Sequence, residues 1–218
     1  MFIKNLIILA ESAKFGNFCV AGVDADTGEW IRPISEKPEL EDAVPIDDLK
    51  YPDGSRIELL DVVEIKFSDR AAKNPIQPEN FFYNQKYFWQ KVGRVTLQEV
   101  IDGRGFDFRD EIFYNHSRSI MGVNVIKFDV RESLLLLPVE NLFISIEDVK
   151  DHKKFFADFN YRGKKFMRFS VGDIAVRNKF ANSSAGKHFF KENANVVFSL
   201  TNPYRKNAEC YKMLAQIF

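Results

Sequence analysis

The sequence has few cysteines and no long apolar run. Its two cysteines, Cys19 and Cys210, cannot build a disulfide framework, and no C-x-x-C pair is present. Two distant cysteines and three scattered histidines do not supply the four close ligands of a structural zinc site, so we expect no metal. No window approaches the roughly 18 apolar residues that a membrane-spanning helix needs, and the first residues lack a signal-peptide pattern. We therefore expect a cytoplasmic protein that does not contact a membrane.

The motifs of common enzyme classes are absent as well. The sequence contains no Walker A motif, no G-x-S-x-G, no H-E-x-x-H and no G-x-G-x-x-G. Cys19 lies within a predicted strand, which favours an inert buried thiol over a nucleophile. These absences favour a non-enzymatic protein without a cofactor, and they identify no catalytic residue.

Aromatic residues are abundant, with 22 Phe, 7 Tyr and 2 Trp in 218 residues. Short alternating segments separated by turn residues every 8–12 positions or so are typical of barrels and sandwiches. The sequence therefore predicts an all-β fold with short helices, with helix below about a quarter of the chain. The length suits two barrels of about 100 residues each. We place them at residues 1–100 and 101–218, with the boundary inside the polar connection of residues 95–130.

Local patterns predict individual elements of this fold. Thr96 and Glu99 have the spacing of a capping box, which predicts a short helix. Residues 102–124 are rich in polar residues and glycine and predict no regular element, whereas residues 125–130 predict a strand. Alternation in residues 155–171 predicts a hairpin. In this hairpin one set of side chains is expected to face inward and another outward. The inward set is Phe155, Ala157, Phe159 and Tyr161, and the outward set includes Phe156, Asn160 and Phe166.

The net charge of zero conceals two segments of opposite charge. Residues 24–69 contain 14 acidic and 5 basic residues, a net charge of −9, whereas residues 150–212 carry a net charge of +9. A polyanion can therefore bind if its contacts are confined to one face. Alternatively, both segments are ordinary solvated surface.

Short motifs lie near both ends of the chain. Cys19-Val20-Ala21-Gly22 precedes Trp30-Ile31-Arg32-Pro33-Ile34-Ser35, and the chain closes with Cys210-Tyr211-Lys212-Met213-Leu214-Ala215. With Gln77-Pro78-Glu79-Asn80, these segments resemble the motifs of the prokaryotic dual OB-fold domain family. The resemblance touches both ends and implies two OB-like barrels over the whole chain. It also implies binding of single-stranded nucleic acid or another small polar ligand, as is common for OB folds. One segment departs from the family pattern, because Ser170-Val171-Gly172-Asp173-Ile174 stands where the family commonly has T-D-P.

Trp30 and Arg32 are the first candidate ligand-binding residues. Residues two apart on a strand face the same side, so an aromatic plane and a guanidinium are expected together. This combination suits a base and its phosphate. The alternative is that Trp30 packs in a barrel and Arg32 pairs with an acid in residues 36–53.

The basic hairpin supplies the second set of candidates. Single-strand binding needs cations for phosphates and aromatic faces for bases, and both alternate here. The alternative is that the aromatic side chains belong to the core. The candidate ligand-binding residues are Phe156, Lys164, Lys165 and Arg168.

The polar connection supplies the last candidates, His116 and Arg118. A histidine near an arginine can hold a phosphate or act as a base in RNA cleavage. Neither a second histidine nor a Lys–Glu pair accompanies His116 in the sequence.

The sequence therefore supports one leading hypothesis and two alternatives. The leading hypothesis is a non-enzymatic protein whose partner is single-stranded nucleic acid or a nucleotide. The first alternative is an adaptor that binds a protein partner through its acidic residues 36–53, within a multi-gene prokaryotic system. The second is an enzyme that processes a nucleotide or RNA phosphate at His116 and Arg118.

Overall fold

The computed structural model describes residues 1–14, 16–128, 131–150 and 152–218. These residues form two compact units, one of residues 1–74 and 78–105, the other of residues 75–77 and 106–218. Strands account for 51% of the chain and helices for 13%, which confirms the prediction of an all-β fold. No helix in the described part of the chain combines the length and the apolarity that a bilayer crossing requires.

The first unit is a five-stranded barrel. The strands run in the order β1–β2–β3–β5–β4, and a further pairing of β4 with β1 closes the ring. Only the β3–β5 pair is parallel in this ring. The strand β6 adds to β4 outside the barrel. The elements are β1 (Phe2–Lys14), β2 (Asn17–Asp24), β3 (Trp30–Ile34), β4 (Asp61–Ala71), β5 (Asn80–Tyr83), β6 (Gln90–Arg94) and α1 (Leu97–Arg104), with single 3-10 turns at Pro38–Leu40 and Ile46–Leu49.

The glycine of the first motif has a packing role in this barrel. Gly22 pairs with Ile8 of β1, next to an irregularity between Ile8 and Ala10. A Cβ atom at position 22 would lie 2.3 Å from the carbonyl oxygen of Ile7, well inside van der Waals contact. Only glycine therefore lets β1 and β2 approach this closely. The capping box at the start of α1 is confirmed, since Thr96 and Glu99 exchange both hydrogen bonds.

The second unit repeats the strand order of the first. Its ring runs β8–β9–β10–β12–β11, and β11 pairs with β8. The single parallel pair, β10 with β12, occupies the place of the β3–β5 pair in the first barrel. The prediction of two OB-like barrels is therefore confirmed. The elements are β7 (Ser119–Met121), α2 (Gly122–Val125), β8 (Leu134–Val149), β9 (His152–Tyr161), β10 (Lys164–Val171), α3 (Ile174–Lys179), β11 (Gly186–Leu200) and β12 (Glu209–Ile217), with a 3-10 turn at Ile112–Tyr114.

The predicted hairpin is β9 and β10, joined by a tight turn at Arg162 and Gly163. Both turn residues have positive φ, as two-residue hairpin turns of this kind require. The inward set of β9 is confirmed, because Phe155, Ala157, Phe159 and Tyr161 are all buried.

The outward assignment of Phe166 is wrong. The register of β9 and β10 shifts between Phe166 and Phe169, and Arg168 in that stretch has a positive φ of 60°. This bulge inserts an extra residue, so the simple alternation fails across it and both Phe166 and Phe169 enter the core. The backbone N–H of Arg168 donates to the Asp158 carboxylate at 2.9 Å, which holds the bulge in place.

Two predictions for residues 102–130 are also wrong. The supposed featureless connection contains β7, which pairs with β12, and the single-turn helix α2. The predicted strand of residues 125–130 is absent over residues 125–128, where α2 ends in a turn, and residues 129 and 130 lie outside the described residues. Tertiary pairing with β12 creates β7, so the local sequence carries no signal for it.

Candidate functional site

Arg32 lies inside the first barrel, where it joins β3 to β5. Its side chain is only 6% exposed and pairs with the carboxylate of Glu79 at 3.2 Å. The guanidinium also donates to the Asn80 side-chain oxygen at 3.1 Å, and the Arg32 N–H donates to the Glu79 carbonyl at 2.8 Å. Arg32 therefore pairs with Glu79, an acid outside the predicted range of residues 36–53. Trp30 is half-buried and has a different neighbour, since the Arg104 guanidinium lies 5.2 Å from its ring centre.

His116 and Lys164 meet in the second unit, around Glu111. The Lys164 ammonium donates to one Glu111 oxygen at 2.7 Å, and His116 Nδ1 lies 3.7 Å from the other. The hydrogen bond from Lys164 holds the pKa of Glu111 below its ordinary value. The His116 ring packs on Phe166 with a centroid separation of 4.3 Å. Lys164 is thus directed toward Glu111, while the Arg118 side chain is exposed.

Lys212 is a buried ionisable residue that the sequence interpretation missed. Its amine donates to the backbone carbonyl of Asn115 and to the Asn115 side-chain oxygen, the latter at 2.7 Å. Burial lowers the pKa of Lys212 to about 7, and the negative charge of Glu111 opposes this effect. A signal was present, because Lys212 alternates with buried Cys210 and Leu214 and therefore occupies a core position of β12.

The Lys212 amine fastens the segment around Asn115 onto β12. With 1% of the residue exposed, the amine is not available to a ligand in solution. The structure does place Lys164 and Glu111 near His116, a grouping that is invisible in the sequence because Lys164 and Glu111 are 53 positions apart. In the described residues, no three side chains of the His, Cys, Asp or Glu type form a group that could hold a metal ion.

Four strands of the second barrel share an outward face that combines aromatic and basic side chains. Directly paired residues project to the same side of a sheet, so the registers define its rows. One row contains Lys187, Ser145, Phe156 and Ser170, and the next contains Phe189, Phe143 and Asp158. We call this surface the aromatic–basic face. Its members are Phe143, Ser145, Glu147, Phe156, Asp158, Asn160, Lys165, Met167, Arg168, Ser170, Lys187 and Phe189.

Cations of this face lie over its rings. The Arg168 guanidinium is 4.4 Å from the Phe156 ring centre, and the Lys187 ammonium is 4.7 Å from that of Phe143. Phe189 contacts the Phe143 ring edge-to-face at 5.4 Å and remains 59% exposed, so one of its faces is open to solvent. The face therefore offers stacking surface and positive charge at the same place.

Carboxylates hold two of these cations in position. Arg168 pairs with Glu147, and Lys187 pairs with the buried carboxylate of Asp158. Burial raises the pKa of Asp158, but the hydrogen bonds from Lys187 and from the Arg168 N–H outweigh it and keep the pKa below its ordinary value. A phosphate bound at Arg168 would have to compete with Glu147, whose side chain is 40% exposed.

Two cavities lie beside this face. One, of about 350 Å³, is lined by Phe143, Asn160, Lys165 and Lys187 among others. The other, of about 330 Å³, is lined by Glu140, Asn160, Arg162, Asn193 and Asn195 among others. Asn160 borders both, so the two depressions adjoin.

The structure brings together part of the predicted set. Phe156, Lys165 and Arg168 lie on the aromatic–basic face, whereas Trp30 and Arg32 belong to the other unit. The sequence interpretation missed Phe143, Lys187 and Phe189, because they come from β8 and β11 and reach the hairpin only through long-range pairing.

The charge asymmetry follows the division into units. The second unit carries 18 basic and 13 acidic residues, a net charge of +5, and the first carries a net charge of −5. The aromatic–basic face thus lies on the positively charged unit.

Comparison with known proteins agrees with the topology of the barrels. The model of the dual OB-containing domain family matches residues 4–217, which is nearly the whole chain. None of the curated proteins compared with the chain matches it.

Proposed function

Because the chain belongs to the dual OB-containing domain family, we propose that it binds single-stranded nucleic acid on the aromatic–basic face of its second barrel. OB folds bind oligonucleotides on the face of their second and third strands, which are β9 and β10 in this barrel. The observation that carries the proposal is the presence of cations beside one exposed ring, Phe189, and two half-buried rings, Phe143 and Phe156, in adjacent rows of this face. A net charge of +5 on the unit supports it.

The roles of the side chains follow from their chemistry. Phe189 and Phe156 offer ring surface on which bases can stack, an interaction that tolerates any base sequence. Lys165 and Arg168 neutralise phosphates and release condensed counterions. Glu147 and Asp158 orient the cations in the absence of nucleic acid.

Removing two cations of the face tests the proposal by salt dependence. We expect Lys165→Ala with Arg168→Ala to weaken binding of a labelled single strand and to flatten the slope of log K against log salt by about 1.4, which is 0.7 per lost phosphate contact. Fluorescence anisotropy over a series of salt concentrations measures the slope, with a mononucleotide as a competitor. Arg177→Ala with Lys179→Ala on α3 is the matched control, since it removes the same charge outside the face.

An unchanged slope in the double variant would remove the aromatic–basic face from the proposal. Binding of a protein partner without salt dependence would then favour the adaptor alternative. Formation of a cleaved product, lost in His116→Ala, would favour the enzymatic one.

Neutralising Glu147 is expected to have the opposite effect on affinity. Glu147→Gln removes a charge that repels phosphate and releases Arg168 from its ion pair. We expect single strands to bind about two- to fivefold more tightly at low salt, a modest gain because ion pairs exposed to solvent are weak. The same titration measures the gain.

The matched control for this change is Glu132→Gln. It releases Arg109 from a similar pair away from the face and alters the net charge equally. An equal gain in both variants would mean that overall charge, and not the face, determines affinity.

A further inference from the structure

A row of four polar side chains lies along one edge of the aromatic–basic face and includes its members Asn160 and Lys165. Each residue of the row is the direct cross-strand partner of the next. The row runs from Asn193 on β11 through Glu140 on β8 and Asn160 on β9 to Lys165 on β10. Within the described parts of the chain, the side chains of Asn193, Glu140 and Asn160 make no hydrogen bond or ion pair with another group of the protein. We call these four residues the polar row.

The composition of the polar row is unusual for the middle of a sheet. Asparagine is depleted in strands, where β-branched and aromatic residues pack better. Asn160, Asn193 and Asn195 nevertheless lie within β9 and β11, and all three line the cavity of about 330 Å³. These asparagines suit a strand poorly, and Asn160 and Asn193 form no internal hydrogen bond that would compensate. Residues that depart from local preferences in this way are expected at binding sites.

The polar row lies beside the row that contains the rings of Phe143 and Phe189. Asp158, in the row of Phe143 and Phe189, and Asn160, in the polar row, are two residues apart on β9, a distance of about 7 Å along a strand. The polar row therefore lies within reach of the sugar of a base stacked on these rings. Lys165 at the end of that row would then meet a neighbouring phosphate.

We infer that this face selects RNA over DNA, because the polar row recognises the 2′-hydroxyl of the ribose. This inference rests on the proposed function. A hydroxyl donates one hydrogen bond and accepts others, which matches a carboxylate that only accepts beside an amide that does both. Glu140 also repels the backbone phosphates, and a hydroxyl that donates to it offsets that repulsion. DNA has no group at this position, so it encounters the repulsion alone.

The test compares oligomers that differ only at the 2′ position. We expect the wild-type protein to bind an oligouridine about three- to tenfold more tightly than the 2′-deoxyuridine oligomer of the same length at the same salt concentration, the size of one net hydrogen bond. The 2′-O-methyl oligomer lacks the donor and is expected to bind like the deoxy form.

Substitutions in the polar row test whether its residues cause the preference for RNA over DNA. Asn160→Ala and Glu140→Ala are expected to bring the ratio of the RNA and DNA affinities close to one. Asn178→Ala on α3, whose side chain lines neither cavity, is expected to leave the ratio unchanged.

The outcomes separate this inference from the proposed function. Equal, salt-dependent binding of RNA and DNA by the wild-type protein overturns the inference and leaves the proposed function standing. A preference that persists in both Asn160→Ala and Glu140→Ala overturns the role of the polar row. Absence of binding to every oligomer overturns both.

Discussion

Arg32→Ala is expected to lower the free energy of unfolding by about 3–5 kcal/mol, because it removes one partner of the buried Arg32–Glu79 ion pair. The substitution also removes the hydrogen bond to Asn80, which helps to join β3 to its parallel neighbour β5. Denaturant unfolding followed by fluorescence measures the loss. The affinity of the folded protein for single strands should not change, since the aromatic–basic face belongs to the other unit.

A double substitution provides the control for Arg32. Replacing both partners, as Arg32→Met with Glu79→Leu, removes both buried charges together and should restore much of the lost stability. A loss below about 1 kcal/mol in Arg32→Ala, accompanied by weaker ligand binding, would contradict the structural role and make Arg32 a ligand contact. Arg56→Ala, in a pair whose arginine side chain is 47% exposed, should cost about 1 kcal/mol or less.

Lys212 is expected to make the stability of the protein increase with pH above neutrality. The pKa of Lys212 is about 7 in the folded protein, whereas the ordinary value of 10.5 applies to the unfolded chain. Between pH 7 and pH 10.5 the unfolded chain therefore binds more protons than the folded protein. Stability therefore rises as the pH increases from 7, and the cost of burying the charge is fully present below pH 7. The whole change amounts to no more than about 5 kcal/mol, at 1.36 kcal/mol per pKa unit.

The experiment on Lys212 measures a slope and not a single stability. Denaturant unfolding of the wild-type protein and of Lys212→Met between pH 6.5 and 9 should show a rise with pH that the variant lacks. The absolute stability of Lys212→Met is a poor readout, because the substitution also leaves the Asn115 oxygens without their donor. Equal slopes in the two proteins would show that the Lys212 amine is charged in the fold, contrary to our expectation. Leu214→Val, on the same side of β12 as Lys212 and without a titratable group, should keep the wild-type slope.

Features that depend on neighbouring residues along the chain were predictable from the sequence. Alternation over Phe155 to Tyr161 and the turn at Arg162 and Gly163 predict the β9–β10 hairpin and its inward side chains, because a strand places every second residue on one face. The capping box at Thr96 and Glu99 is equally local. Phe166 shows the limit of this reasoning, since a bulge that is tied to Asp158 shifts the register by one residue.

The candidate site depended on closure of the second barrel. Sequence alone identified Phe156, Lys165 and Arg168, which lie on one hairpin. Only the pairing of β8 with β9 and β11 brings Phe143, Lys187 and Phe189 beside them, and only the pairing of β12 brings Lys212 to Asn115. The sequence by itself determined the all-β class, the local hairpin and the opposite charges of its two segments. The tertiary structure decided which strands are neighbours and in which register, because those choices depend on packing between residues far apart in the chain.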